Sequence, residues 1–299
     1  MFSIKFTLAC ILSALSLTFN VHAEDISTGK YSITQSWSQE KDYERPYFVQ
    51  VPDGASGKLP VLIFLHGNGG NAERAMGGFK RKFPKIASSY ILVFAQGYQA
   101  SWNIVSERAK SNDLEFIEEI VRTLAKYDNV RDDDFTVMGS SNGAALANQI
   151  AIETDLAAIR NYVCLVSPLN GYQHDGKNFK VRGDDNNYEE VATPMTGKRL
   201  LNVSGENDPL VPYKGGPSRG IPAKDGKLPF VHAEESIFLW AKHFGYKGKK
   251  LTEPTSADDK LEVFSYLDGD VIHYKALGEA HGAGRVLNEQ MLLDFLKGK

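Results

Sequence analysis

The sequence has 299 residues, of which 42% are hydrophobic and 24% charged, with a formal net charge of −3. That length carries one large α/β domain or two small ones, and the composition is that of a globular chain rather than a disordered or fibrous one. So mild an acidic balance argues against a nucleic-acid or anionic-membrane partner.

The first 23 residues stand apart from the rest. Lys5 supplies a short positive segment, Phe6 to Phe19 is almost wholly apolar, and Val21-His22-Ala23 fits a small-residue cleavage pattern. This predicts a secretory signal peptide cut after Ala23 and a secreted or periplasmic protein. A membrane anchor is the weaker reading, because the apolar run is too short to span a bilayer comfortably. Thr7-Leu8-Ala9-Cys10 faintly imitates a lipoprotein cleavage box but precedes most of the apolar run. Loss of the segment removes its one charged residue, Lys5, and takes the net charge from −3 to −4. Of the two cysteines only Cys164 remains, so no internal disulfide can form and stability must come from the core.

From residue 24 onward, apolar strands alternate with helical stretches, which predicts one α/β domain over 24–299: a mostly parallel central sheet with helices on both faces. Two opening strands are expected near Tyr31–Ser38 and Arg45–Val51. Leu59–Leu65 is a continuous apolar run of the kind a buried parallel strand needs. Similar runs follow at Tyr90–Ala95, Phe135–Met138, Tyr162–Val166, Arg199–Val203 and Val271–Ala276. Cys164 falls inside one of them and reads as a buried structural thiol. Helical patterns are clearest at Asp113–Lys126, Ala144–Ile152, Ala233–His243 and Val286–Leu296. Gly171–Thr196 breaks the rhythm, being polar and rich in Asp, Asn and Gly. It reads equally as a loop or cap beside an active site or as a mobile surface insertion.

Gly139-Ser140-Ser141-Asn142-Gly143 fits G-x-S-x-G, with an apolar strand before it and a small-residue helix after it. That strand–turn–helix setting is what a nucleophile elbow requires, and the spacing selects Ser141 over Ser140. Gly139 and Gly143 let strand and helix approach closely. A serine hydroxyl is a weak nucleophile until a base takes its proton. Among seven histidines, His281 lies between the last strand and the last helix, where a loop can bring its ring over the sheet. His66 lies beside a glycine turn and is assigned a part in shaping the site. His174, His232, His243 and His273 have no such placement and read as surface or structural residues. The base needs a carboxylate to fix its tautomer. Asp208 sits past the carboxyl end of a strand, with Glu206 as the fallback. The order Ser141, Asp208, His281 is the order of an α/β-hydrolase triad. The oxyanion hole is expected from the backbone N–H of Asn142 and one from the glycine turn, Asn68 first and Gly67 second.

Other chemistries fail on particular residues. A dinucleotide fingerprint would need glycine where Ala72 stands, and Gly176-Lys177 lacks both the following Ser or Thr and a preceding strand. Neither H-E-x-x-H nor paired C-x-x-C occurs, so no catalytic metal is expected.

These residues resemble the polyhydroxybutyrate depolymerase and feruloyl-esterase-like branch of the α/β-hydrolases. The resemblance runs from about Pro60 to the C-terminus. Leu65-His66-Gly67, Ser101-Trp102-Asn103, the 139–143 elbow and Asp208 to Gly216 carry it, with Phe238-Leu239-Trp240-Ala241 a weaker match. It implies the same triad, no cofactor, and Trp102 near the substrate cleft as a hydrophobic wall; a core aromatic under the loop is the other reading of Trp102. The departures are Gly282-Ala283-Gly284 where the family commonly has Trp-Pro after its histidine, the lack of disulfides, and the lack of a linker and binding domain. They favour small, oligomeric or soluble esters over solid polyester. The expected activity is therefore serine ester hydrolysis. A peptidase or acyltransferase of the same fold uses the same triad. A non-catalytic binding module on this fold is the alternative from another class.

Overall fold

The computed structural model describes residues 24–298, so the predicted signal segment lies outside the described residues. Two strands come first, β1 (Gly29–Trp37) and β2 (Glu40–Gln50), paired as an antiparallel hairpin. Then follow β3 (Leu59–Leu65), α1 (Ala72–Lys82), α2 (Pro84–Ala87), β4 (Ile91–Ala95), α3 (Asp113–Leu124), β5 (Val130–Ser140), α4 (Asn142–Glu153) and β6 (Ile159–Leu165). The second half holds β7 (Phe179–Lys180), β8 (Val191–Ala192), β9 (Arg199–Gly205), β10 (Gly216–Ala223), β11 (Gly226–Phe230), α5 (Ala233–His243), β12 (Ser256–Ala257), β13 (Leu261–Tyr266), β14 (Val271–Ala276) and α6 (Glu289–Lys297). Among the described residues the main sheet has ten strands, in the order β1-β2-β4-β3-β5-β6-β9-β14-β13-β12. The strands from β4 through β14 in that order run parallel, and antiparallel strands flank them on both sides.

The side-chain period of two sorts each central strand between two cores. Val61, Ile63 and Leu65 of β3 join one cluster, with Phe116 of α3, Leu146 of α4 and Trp240 of α5. Leu62, from the same strand, joins the other, with Phe79 of α1, Ile86 of α2 and Leu292 of α6. Both faces are covered, which is why these strands read as unbroken apolar runs. Cys164 is fully buried and burial pushes its thiol up, so it is inert packing. No helix among the described residues is long and apolar enough to cross a membrane.

Several boundaries differ from expectation for local reasons. β5 starts at Val130, because its exposed polar segment Arg131–Asp133 belongs to the strand but carries no apolar signal. α1 did not stand out among the helical patterns, since Gly77 and Gly78 lower its propensity. The Asn71 side chain caps it at Arg74 N, 2.9 Å away, and Phe79 anchors it. α6 starts at Glu289 rather than Val286 because Asn288 is its cap, accepting from Met291 N at 3.0 Å.

Residues 171–196 are not loose on the surface but are bonded to elements that border the cavity. Gln173 Nε2 donates to Ala145 O at 2.7 Å, and Gln149 Nε2 donates back to Lys180 O at 3.2 Å. Asn186 Nδ2 reaches Asn103 Oδ1 at 2.8 Å, and Tyr188 OH donates to Ile104 O at 2.8 Å. The insertion thus braces α4 and the 101–113 loop from behind. That loop is tied to the sheet by a buried pair, Arg45 with Asp113, 2.6 Å apart. Asp113 Oδ2 also accepts from Asn103 N at 2.6 Å. Removing either partner would strand a buried charge, at a cost of about 3–5 kcal/mol.

His273, in β14, is fully buried between Asn202 Oδ1 at 2.9 Å and Tyr213 OH at 3.0 Å. Burial lowers its pKa to about 3. The unfolded chain takes up this proton near pH 6.5 and the folded chain only near the lower value. The stability from keeping His273 neutral is therefore present above about pH 6.5 and is lost as pH falls toward about 3. Half-buried Glu107 and Glu153, whose pKa values desolvation raises, act in the opposite sense, so a variant isolates the effect. The destabilisation caused by His273→Gln, measured by urea unfolding, should be smaller near pH 5 than near pH 7 by about 2 kcal/mol. An equal loss at both would rule out this linkage.

Candidate active site

The turn after β5 places Ser141 at φ 53°, ψ −118°, a strained conformation for a residue with a side chain. Its own N–H donates to Leu165 O at 2.8 Å, which fastens the turn to β6. A methyl group on Gly139 would strike the Gly143 carbonyl, and one on Gly143 would strike the Leu65 carbonyl. Both glycines are thus needed where the strand turns into α4.

The structure brings Ser141, His281 and Asp208 into one chain of hydrogen bonds. His281 Nε2 lies 2.9 Å from Ser141 Oγ, and His281 Nδ1 lies 2.7 Å from Asp208 Oδ2. A carboxylate only accepts, so Nδ1 carries the proton and Nε2 is free to take one from Ser141. Asp208 Oδ1 accepts from Leu210 N at 2.8 Å and Val211 N at 3.0 Å, so the loop after β9 presents the other oxygen to His281. The Asp208 side chain is 2% exposed and that of His281 27%. Gly205 lets the two loops meet, because a methyl there would strike the backbone just before His281. Glu206, the fallback acid, turns elsewhere. It accepts from Gly278 N at 3.0 Å, which with Lys275 nearby holds its carboxyl below the usual range.

Asn142 opens α4, where first-turn N–H groups lack helical partners. Gly67 and Asn68 border the same cavity as Ser141 and Asn142. The Asn142 side chain has a task of its own. Its Oδ1 accepts from Trp102 N at 2.8 Å, and its Nδ2 donates to Trp102 O at 3.1 Å and to Glu107 Oε1 at 3.3 Å. Trp102 is not a wall of the cleft. It is fully buried, its Nε1–H donates to His66 O at 2.7 Å, and its ring lies 5.0 Å from the His66 ring. The indole needs a partner when buried, and the backbone of the glycine turn supplies it, so Trp102 sits under the loop.

The cavity above Ser141 holds about 630 Å³. Its apolar wall is made by Ile104, Leu210, Ile221, Pro222, Leu228 and Phe230. Four of these belong to the β10–β11 hairpin, which was not read from the sequence. Asp225-Gly226, with Gly226 at φ 120°, was the turn signal that marked it. Glu107 was also missed. Its Oε2 accepts from Ile104 N at 2.8 Å and Val105 N at 2.7 Å, and burial raises its pKa. No local pattern announces a carboxylate that organises its own loop. Of the remaining histidines, His232 caps α5 through Glu234 N at 3.2 Å, and His243 bonds Pro194 O at 2.7 Å. No group of three or more His, Cys, Asp or Glu among the described residues is arranged to hold a metal ion.

No family model matches the chain, and no curated protein matches it by sequence. Solved structures do match it. An acetyl xylan esterase from Aspergillus awamori superposes with a TM-score of 0.61 at 14% identity, covering 91% of this chain and 100% of that one. Est1E from Butyrivibrio proteoclasticus gives 0.50 at 15% identity, covering 90% of this chain and 98% of that one. The sheet order, the parallel core and these matches define the fold: it is the α/β-hydrolase fold.

Proposed function

We propose that residues 24–299 form a single catalytic domain that hydrolyses carboxylic esters, with Ser141 as nucleophile, His281 as general base and then acid, and Asp208 orienting His281. The observation that carries this reading is the unbroken Ser141–His281–Asp208 chain at 2.9 and 2.7 Å, with Ser141 and His281 lining the 630 Å³ cavity. Ser141 attacks the ester carbonyl while His281 takes its proton, and the backbone N–H groups of Asn142 and Asn68 hold the oxyanion. His281 protonates the leaving alcohol, then activates water to release the acid. No cofactor enters these steps. The N-terminal segment supports a secreted or periplasmic site of action. An intact triad speaks against a purely binding role, since such modules usually lose a member.

The acyl group is the finer question. The resemblance to depolymerases and feruloyl esterases, together with the name of the acetyl xylan esterase, is the support for considering hydroxyalkanoyl, feruloyl and acetyl esters. The apolar hairpin wall favours acyl groups larger than acetyl. Each buried methylene contributes about 0.8 kcal/mol, so p-nitrophenyl butyrate should exceed the acetate by about tenfold in kcat/KM. The panel to measure is p-nitrophenyl acetate, butyrate and octanoate, methyl ferulate, a hydroxybutyrate oligomer and acetylated xylan. Acetate as the best substrate would overturn the acyl assignment. Inactivity on every ester would overturn the esterase reading and turn attention to peptides.

A further inference from the structure

Three loops meet beside Ser141, and the His66 ring lies among them, 3% exposed. Its Nε2 is 3.0 Å from Gly97 N and 3.1 Å from Gln96 Nε2. A backbone N–H can only donate, so Nε2 is an acceptor here. The Gln96 amide agrees, because its Oε1 accepts from Ala72 N at 2.9 Å and so leaves its nitrogen to donate. The ring proton must then sit on Nδ1, which lies 2.8 Å from Gly67 O and donates to it. Burial keeps this imidazole below the ordinary histidine range, in keeping with a neutral ring.

Gly67 O is one end of the peptide whose other end is the N–H of Asn68. In a trans peptide the two point in opposite directions. Gly70 N–H donates to the same oxygen at 2.9 Å. Two donors therefore hold Gly67 O toward the inside of the turn, which leaves Asn68 N–H facing away from it. Asn68 borders the catalytic cavity. The fold keeps space for this ring on two sides. A methyl group on Gly70 would lie 2.7 Å from His66 Nδ1 and 2.8 Å from Gly67 O, and one on Gly97 would lie 3.2 Å from His66 Cε1 and 2.5 Å from Ser101 O.

We propose that His66, as the neutral Nδ1–H tautomer, is the positioning residue that aims the Asn68 N–H of the oxyanion hole. This rests on the esterase reading above, in which Asn68 is one of the two donors. His66 touches no substrate and acts through the Gly67–Asn68 peptide. A donor aimed at the oxyanion matters most when the carbonyl oxygen becomes charged, so misaiming it lowers kcat and leaves KM nearly unchanged. Losing a donor outright costs about 100- to 1,000-fold, and misplacing one costs less.

The test begins with the wild-type enzyme. Nitrogen NMR of the labelled protein should find the His66 proton on Nδ1; a proton on Nε2 overturns the proposal. Two variants are then compared for kcat, KM and affinity for a boronic acid that mimics the tetrahedral state. His66→Phe keeps a ring but no donor, and should lower kcat and boronate affinity together by about 10- to 100-fold. His66→Asn places an amide near the Nδ1 position and should recover most of that loss. If His66→Phe does not fold, His66→Leu, which also removes the Nδ1 donor, is measured in its place with the same expectation. A kcat within about twofold of wild type, or a loss carried by KM alone, overturns the proposal. A wild type inactive on every ester sinks the esterase reading instead, whereas an active wild type indifferent to these changes sinks only the role of His66.

Discussion

Ser141→Ala is expected to lower kcat for ester hydrolysis by about four orders of magnitude or more, with the fold retained. The reason is geometric. His281 Nε2 meets Ser141 Oγ at 2.9 Å, whereas Ser140 is the last residue of β5, in register with Leu165. No neighbouring hydroxyl inherits the base. Alanine tolerates φ 53° no worse than serine does, so the turn is not further strained. Single-turnover hydrolysis of p-nitrophenyl butyrate, with circular dichroism as the control, measures the effect. A residual rate within about tenfold of wild type would remove Ser141 from the mechanism.

Asp208→Asn should cost nearly as much, about 10,000-fold in kcat, without loss of stability beyond about 1–3 kcal/mol. The asparagine oxygen can keep the bonds from Leu210 N and Val211 N that Asp208 Oδ1 accepts. Its amide nitrogen then faces His281 Nδ1, where Asp208 Oδ2 now lies at 2.7 Å. An amide N–H cannot accept, so His281 must present a bare Nδ1 and carry its proton on Nε2. That proton points at Ser141 Oγ and the base is lost. The pH–rate profile and kcat of the folded variant are the measurements. A fall of less than about tenfold would mean that Asp208 only shapes its loop, and that another carboxylate orients His281.

Much of this site is legible in the sequence, and the legible parts share a cause. The elbow is a local object: two glycines, a serine at fixed spacing, an apolar strand before and small residues after. Its conformation follows from backbone sterics within five residues. The central strands were legible for a similar reason, since burial on both faces leaves a continuous apolar record in the chain. Trp102 shows the limit. Its neighbours Ser101 and Asn103 suggested a cleft, but the indole turned inward to the carbonyl of His66, a choice made by a partner 36 residues away. Glu107 and the β10–β11 hairpin shaped the cavity with little local signal beyond one Asp-Gly pair.

The sequence by itself determined the sheet, the strained turn that carries Ser141, the chain order of Ser141, Asp208 and His281 and the glycines that let the chain pass close to itself. These depend on sterics and on periodic burial, which act between near neighbours. Only the tertiary structure decided that Asp208 rather than Glu206 faces His281, that 171–196 braces the cleft from behind, and that Asn142, Trp102 and His66 lock three loops beside Ser141. Those are hydrogen bonds between residues far apart in the chain. A donor or acceptor far along the chain leaves no trace in the spacing of the residues it binds, so only the folded geometry could pair them.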